Sequence, residues 1–280
     1  MTYFSINDNI EEDNLKHLQH FKNEPPHPSY IAGMIDGDGC IFIRKIKNGY
    51  QSGISISQSR TNILQIIRYH FGGSITTSAN RNNMEDIVNE DGVEEYYHKH
   101  NKRNQYNLQI RSNEYQIILE YIKDALIIKQ EQINCLYEFN KFVNLVNKNE
   151  EKESLYQKYY TISTGINNAD LIISRKINIE YIQGIFDAEG CIYLDKNKKT
   201  KFYISITQKK YPIILEKIKD FLGFGHIEGN IVFKIFKKSD CLKFIFLVKQ
   251  GLIVKYNQII AFETFLNSSN NDNNEEIHVN

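Results

Sequence analysis

Two periodicities of apolar residues alternate along the chain. Tyr30–Asp38 and Tyr181–Glu189 are apolar or small at almost every position and stop at Gly39 and Gly190, which predicts a helix ended by glycine. Each is followed by isoleucines alternating with Ser, Thr or other polar residues, as expected of strands with one buried face. These strands form predicted hairpins, Cys40–Ile46 with Gly53–Gln58 and Cys191–Asp195 with Phe202–Gln208. Apolar residues at helical spacing return over Ile63–Phe71 and Ile213–Leu222. A second hairpin follows in each half, ending in Gln105–Ile110 and in Asn230–Phe236. Long amphipathic stretches come last, Tyr115–Val146, with a break near Ile127, and Leu242–Leu266. The order is αββαββα, twice over, in an α+β chain.

The duplication is visible in the letters themselves. Tyr30-Ile-Ala-Gly-Met-Ile-Asp-Gly-Asp-Gly-Cys-Ile-Phe-Ile43 returns 151 residues later as Tyr181-Ile-Gln-Gly-Ile-Phe-Asp-Ala-Glu-Gly-Cys-Ile-Tyr-Leu194. Further on, Ile54-Ser-Ile-Ser-Gln-Ser59 matches Ile204-Ser-Ile-Thr-Gln-Lys209, and Phe71-Gly-Gly-Ser-Ile75 matches Phe221-Leu-Gly-Phe-Gly225. Leu126-Ile-Ile-Lys-Gln130 matches Leu252-Ile-Val-Lys-Tyr256. Four matches in one order imply two copies of a half-domain, residues 28–147 and 179–267, joined by a linker at 148–178 that carries a short helix around Glu150–Tyr160. Asp38 to Lys129 is 91 residues and Glu189 to Lys255 is 66, so the first copy holds an insertion, read as a long polar loop at about 78–102. The ends, 1–27 and 268–280, are polar and acidic and read as flexible or disordered tails.

Composition narrows the classes. The 280 residues are 41% hydrophobic and 24% charged, which suits folded domains and excludes a wholly disordered chain. No apolar run is long enough to span a membrane, and the start lacks the basic-then-apolar pattern of a secretory signal. Four scattered cysteines form no CxxC, which disfavours a zinc knuckle and suits a reducing compartment. The charges, 34 basic and 34 acidic, cancel overall, but both tails are acidic; without them 32 bases face 26 acids. A neutral total therefore does not exclude a polyanionic partner, because the local field decides.

The repeated helix carries unusual chemistry. Gly33 and Gly37, and likewise Gly184 and Ala188, are four apart and so share a helical face along which two backbones can approach closely. Each helix then ends in an acid, Asp38 or Glu189. A carboxylate at a helix C-terminus opposes the macrodipole by roughly 0.3–1 kcal/mol. Packing the two helices together adds like-charge repulsion. Divalent cations between the acids would relieve both, and Mg²⁺ suits a site of one or two carboxylates completed by water and phosphate oxygens. Paired metal sites at a phosphodiester activate water and stabilise the leaving oxygen. Asp36 and Asp187 lie two residues earlier, on another face, and are read as structural, bonding backbone or polar neighbours.

Ile31-Ala-Gly-Met-Ile-Asp-Gly-Asp-Gly39 and Ile182-Gln-Gly-Ile-Phe-Asp-Ala-Glu-Gly190 resemble the paired motifs of the LAGLIDADG homing endonucleases, in the single-chain, two-motif branch. The resemblance spans about residues 29–266; Gln183 and Phe186 are bulkier than the usual residues. It implies two pseudo-symmetric half-domains whose saddle-shaped antiparallel sheets straddle DNA, with the motif helices at their interface. It also implies that Asp38 and Glu189 bind metal with help from the backbone carbonyls of Gly37 and Ala188. A polar residue at the end of the second strand and a lysine opening a late helix surround the family's active centre; the matching residues are Gln58 with Lys129, and Gln208 with Lys255. Gln can orient a water, and Lys can stabilise charge developing on a phosphate.

On this resemblance, sequence is read by the polar strand faces laid along a major groove. The outward positions are Cys40, Phe42, Arg44, Gln51, Gly53, Ser55, Gln105, Asn107 and Gln109 in the first half, and Cys191, Tyr193, Asp195, Lys201, Tyr203, Ser205 and Lys234 in the second. Arg44 favours guanine, and the Gln and Asn residues favour adenine; Phe42 and Tyr193 have packing under neighbouring side chains as an alternative. The function implied is metal-dependent hydrolysis of both strands of a long asymmetric DNA site of about 20 base pairs, across the minor groove, leaving four-nucleotide 3′ overhangs. The expected cofactor is Mg²⁺, with Mn²⁺ or Ca²⁺ able to substitute in the site and Ca²⁺ not supporting cleavage. The expected partner is double-stranded DNA, bound by a monomer with no obligate protein partner and no membrane. An RNA maturase on the same fold is the alternative; the two intact acids favour cleavage. The Ile-, Asn- and Lys-rich composition suits an A+T-rich genome, hence an intron-encoded, intracellular protein of an organelle or a large virus.

Overall fold

A computed structural model describes residues 17–77, 105–111, 114–142, 145, 148–164, 169–195 and 201–268, together with the strand backbone of 84–88 and 94–98. The tails expected at 1–16 and 269–280 lie outside these residues. Residues 17–23, expected to be part of the first tail, are instead a helix (α1). Its His17 stacks on Tyr256 at 3.9 Å and bonds the carbonyl of Leu252 through Nε2 at 2.7 Å.

The first motif helix, α2 (Pro28–Asp38), is buried from Tyr30 through Asp36, as an all-round apolar helix must be. It passes directly into β1 (Gly39–Ile46), which pairs with β2 (Gly49–Gln58). After α3 (Asn62–Phe71), β3 (Ser74–Thr77) and β6 (Tyr106–Arg111) complete an antiparallel sheet in the order β1-β2-β6-β3. The inserted segment between β3 and β6 is not a plain loop: β4 (Met84–Val88) and β5 (Glu94–His98) pair as a separate two-stranded sheet. Ile41, Ile43, Ile54, Ile56, Leu108 and Ile110 turn inward beneath α4 (Tyr115–Ile122) and α5 (Gln130–Asn140) to make a core. The linker helix α6 (Asn149–Thr164) lies against β1, where the Tyr159 hydroxyl donates to the carbonyl of Ile41 at 2.6 Å.

The second half repeats the plan after the short helix α7 (Ala169–Ser174). It runs α8 (Ile179–Glu189), β7 (Gly190–Leu194), β8 (Phe202–Thr207), α9 (Ile213–Leu222), β9 (His226–Glu228) and β10 (Val232–Ile235), with sheet order β7-β8-β10-β9. The two four-stranded sheets are therefore topologically equivalent. Both late apolar stretches are broken, α4 from α5 at 123–129 and α10 (Lys238–Val248) from α11 (Tyr256–Ser268) at 249–255; the second break was not expected. In each case a buried apolar triplet, Leu126-Ile-Ile128 or Leu252-Ile-Val254, runs extended or bent into the next helix and places a lysine at its start.

Contacts group the chain into two compact units, Met1–Gly37 with Asn167–Asn280, and Asp38–Ile166. The first motif helix thus packs with the second half, up to Gly37, while the sheet it leads into belongs to the other unit.

Candidate active site at the ends of the motif helices

Glycine is required where α2 meets α8. A Cβ at Gly184 would overlap the carbonyl oxygen of Tyr30, and one at Gly33 the carbonyl oxygen of Tyr181. This reciprocal contact puts the two backbones against one another, as the small-residue spacing predicts. One turn further, a Cβ at Gly37 would sit 2.5 Å from that of Ala188 and 3.2 Å from Cγ of Glu189. Gln183 is accommodated beside Gly251, which leaves the room its carboxamide fills.

The helices are also tied by an exchange of buried hydrogen bonds. The Tyr30 hydroxyl donates to Asp187 at 2.6 Å and the Tyr181 hydroxyl to Asp36 at 2.9 Å. Burial first, and the facing carboxylate second, hold both phenols well above their ordinary pKa of 10, so each remains a donor. Asp187 also accepts from the backbone N–H groups of Ile253, Val254 and Lys255 at 2.7, 3.0 and 2.8 Å. The structural role expected for both aspartates is borne out: Asp187 anchors the segment that carries Lys255. The tyrosines were not foreseen as the partners of the two aspartates, although each is the first letter of its repeat.

With Asp36 and Asp187 spent inside, Asp38 and Glu189 are half-buried at the helix ends. Around Asp38, the carboxamide of Gln58 donates to its carboxylate, and Nζ of Lys129 donates to the carbonyl of Gly39 at 2.9 Å. Lys129 stands at the N-cap of α5. In the second half, Nζ of Lys255 donates to the carbonyl of Asp187, two residues before Glu189. Gln208 is buried, like Gln58, and its carboxamide oxygen accepts from the N–H of Lys210 at 3.2 Å. Each motif end thus carries a carboxylate, nearby backbone carbonyls and an ammonium group. Among the described residues no group of three or more His, Cys, Asp or Glu side chains converges. The donors offered are hard oxygens, which suits Mg²⁺ or Ca²⁺ and not a soft metal.

The strand faces expected to read sequence are laid out by the registers. In the first sheet Cys40 opposes Ser55, Phe42 opposes Gly53, Arg44 opposes Gln51, and Ser55 opposes Gln109, all on the face opposite the isoleucine core. Gln105 is exposed just before β6, and Asn107 shares the face of Gln109. Phe42 packs across Gly53, and Arg44 lies 4.9 Å over its ring. In the second sheet Cys191 opposes Ser205, Tyr193 opposes Tyr203, and Lys234 opposes Ser205. Asp195 and Lys201 close the hairpin, with the N–H of Asp195 donating to the carbonyl of Lys201 at 2.9 Å. Two positions depart from expectation: Gly53 and Ser205 are buried despite facing outward, because each is a small residue in a central strand under larger cross-strand neighbours. Arg111, Thr76 and His226 also share these faces: Arg111 lies one residue past the strand expected at Gln105–Ile110, and β3 and β9 are too short for an alternation to show Thr76 and His226.

No protein-family model matches the chain, nor does any curated protein sequence. Solved structures do. The LAGLIDADG meganuclease I-AabMI bound to uncleaved DNA aligns over 87% of this chain and 92% of its own, with a TM-score of 0.62 at 16% identity. The LAGLIDADG homing endonuclease I-GzeII in complex with its DNA target covers 89% and 92%, with a TM-score of 0.62 at 18% identity. I-SmaMI, bound to an uncleaved DNA target in the presence of calcium ions, covers 88% and 92%, with a TM-score of 0.61 at 19% identity. The chain therefore has the fold of the LAGLIDADG homing endonucleases over nearly its full length. Among the described residues no helix is long and apolar enough to cross a membrane.

Proposed function

We propose that this chain, which carries the LAGLIDADG homing-endonuclease fold, is a site-specific, metal-dependent double-strand DNA endonuclease acting as a monomer. The observation that carries the reading is the pairing of two motif helices through glycines and exchanged Tyr–Asp bonds, with a carboxylate left at the end of each. A sequence selected only for stability would not twice end so tight a helix pair in acids.

In this reading Asp38 and Glu189, with the carbonyls of Gly37 and Ala188, hold divalent cations, Mg²⁺ in the working enzyme. Bound there, the metal supplies a Lewis acid for the scissile phosphate and lowers the pKa of water. Gln58 orients Asp38 through its carboxamide; Gln208 is the corresponding residue of the second half. Lys129 and Lys255 are aimed at carbonyls of the motif ends and bring a positive charge to the region where a phosphate gains negative charge. The strand faces of the two sheets supply base contacts. The chain cuts across the minor groove of a long asymmetric site and leaves four-nucleotide 3′ overhangs. It is intron-encoded and works in an organelle or a virus-infected cell.

The test is cleavage-site selection from a randomised double-stranded DNA library in Mg²⁺. The expected result is one recurrent, non-palindromic target cut on both strands. Cleavage without a recurrent site, or none in any divalent cation, would contradict the proposal.

A further inference from the structure

The second sheet carries an unusual surface. On the face opposite its isoleucine core, Tyr193 and Tyr203 stack across β7 and β8 with ring centroids 4.7 Å apart. Phe236, just past β10 and 45% exposed, meets Tyr203 edge-on at 6.2 Å and stacks on His226 of β9 at 4.5 Å. Four rings thus form a continuous row across all four strands. Lys234 lies 5.0 Å over Tyr203 and is paired with Glu228, so the cation nearest the row is engaged inside the sheet. At the level of Tyr193 and Tyr203 the first sheet has a single ring, Phe42 opposite Gly53. One pair further along, exposed Arg44 donates through Nε to Gln51 at 2.7 Å.

We infer that the two sheets read DNA by different chemistry: the aromatic row of the second sheet contacts thymine methyl groups, so the stretch of target it covers is thymine-rich, while the first sheet reads hydrogen-bonding base edges. The inference rests on the endonuclease reading above. In the major groove the thymine C5-methyl is the apolar feature a side chain can seek, and apolar contact discriminates it from cytosine. Aromatics left partly or fully exposed across a sheet face, as Tyr193 and Tyr203 are in part and His226 and Phe236 more fully, have a cost in water that such methyls would offset. Stacking of unpaired bases, as in single-strand or RNA binding, needs open ring faces. Here Tyr203 has one face against Tyr193 and the other beneath Lys234, and His226 and Phe236 cover one another. The central ring, Tyr203, is thus engaged by Tyr193 and Lys234, which suits a groove wall better than a stacked base.

The experiment uses the selected duplex target and replaces thymine by deoxyuridine, which removes only the methyl. Selection with the native protein and with Tyr193→Ser/Tyr203→Ser first marks the bases that depend on the row. Within that stretch each deoxyuridine is expected to weaken binding of the native protein roughly fourfold, the worth of one buried methyl group. The double variant should lose this sensitivity, and deoxyuridine outside the stretch should leave affinity unchanged. Phe236→Ser, at an exposed position, gives the same readout if the double variant does not fold. Neutral deoxyuridine throughout, a cytosine- or guanine-rich stretch, or tighter binding of uridine-rich RNA that depends on the two tyrosines would each overturn the inference. Selection of no duplex site at all would instead remove the endonuclease reading beneath it.

Discussion

At the residue scale, acids two positions apart do opposite things. Asp187 is fully buried and takes one phenol and three backbone N–H groups, so it acts as an internal tie. Glu189, one half-turn on, is left at the surface end of the helix. Removing the Tyr30 hydroxyl should therefore act on stability: Tyr30→Phe is expected to cost about 2 kcal/mol, the usual loss of a buried hydrogen bond to a charged group. A denaturant midpoint unchanged from the native protein would deny that the tie matters. Lys129→Met should act on rate: cleavage slows at least tenfold with little change in DNA affinity, since the ammonium sits at the motif end and not on a strand face. An unaltered cleavage rate would return Lys129 to the solvated lysines. The division of labour between these acids could be read from spacing, because Asp36 and Asp187 point elsewhere on the helix. Their tyrosine partners could not, because the bond runs between helices 145 or more residues apart in sequence.

At the element scale, the helix pair depends on missing side chains. Gly184→Leu would drive a side chain into the Tyr30 carbonyl, and a loss of about 3 kcal/mol or more is expected from overpacking with no room to relax. Thermal unfolding at the native temperature would contradict the contact. A second element, α6, is fastened to the first sheet by Glu153. Tyr50, Lys45 and Gln157 all bond its carboxylate, Tyr50 most strongly, and hold its pKa down to about 2. The folded value lies below the ordinary 4.5, so this attachment is intact above pH 4.5 and is lost as pH falls toward 2. The carboxylate is exposed and screened, so the effect is local. Glu153→Gln should abolish acid-induced protection loss in α6 between those values, as followed by hydrogen exchange; an identical acid profile in the variant would refute the clip. The motif helices were legible because they are apolar throughout, end in glycine and occur twice, and the first hairpins and both mid-helices because their periodicity is strong. The break at 249–255 was not, since Leu252-Ile-Val254 reads equally as one more helical turn. The tie that decides it is Asp187 accepting from three successive N–H groups, a tertiary contact.

At the scale of the whole molecule, duplication explains why so much could be read. A single acidic helix end means little, whereas two in matched surroundings, with matched lysines 91 and 66 residues downstream, point to one shared chemistry. The insertion could be sized by this difference, but its hairpin could not be read, as β4 and β5 lack an apolar alternation. The neutral total charge hides basic residues between acidic tails, so DNA binding should weaken linearly in log–log terms as salt rises. A flat salt response would exclude phosphate contacts and with them the nucleic-acid partner.

The central claim is that Asp38 and Glu189, one from each copy, are both required for cutting. Its most direct test measures double-strand cleavage of the selected target in Mg²⁺ by Asp38→Asn and Glu189→Gln, with DNA binding followed in Ca²⁺. Loss of cutting of both strands in each variant, with binding retained, is the predicted result; native-rate cutting of both strands by either variant would contradict it.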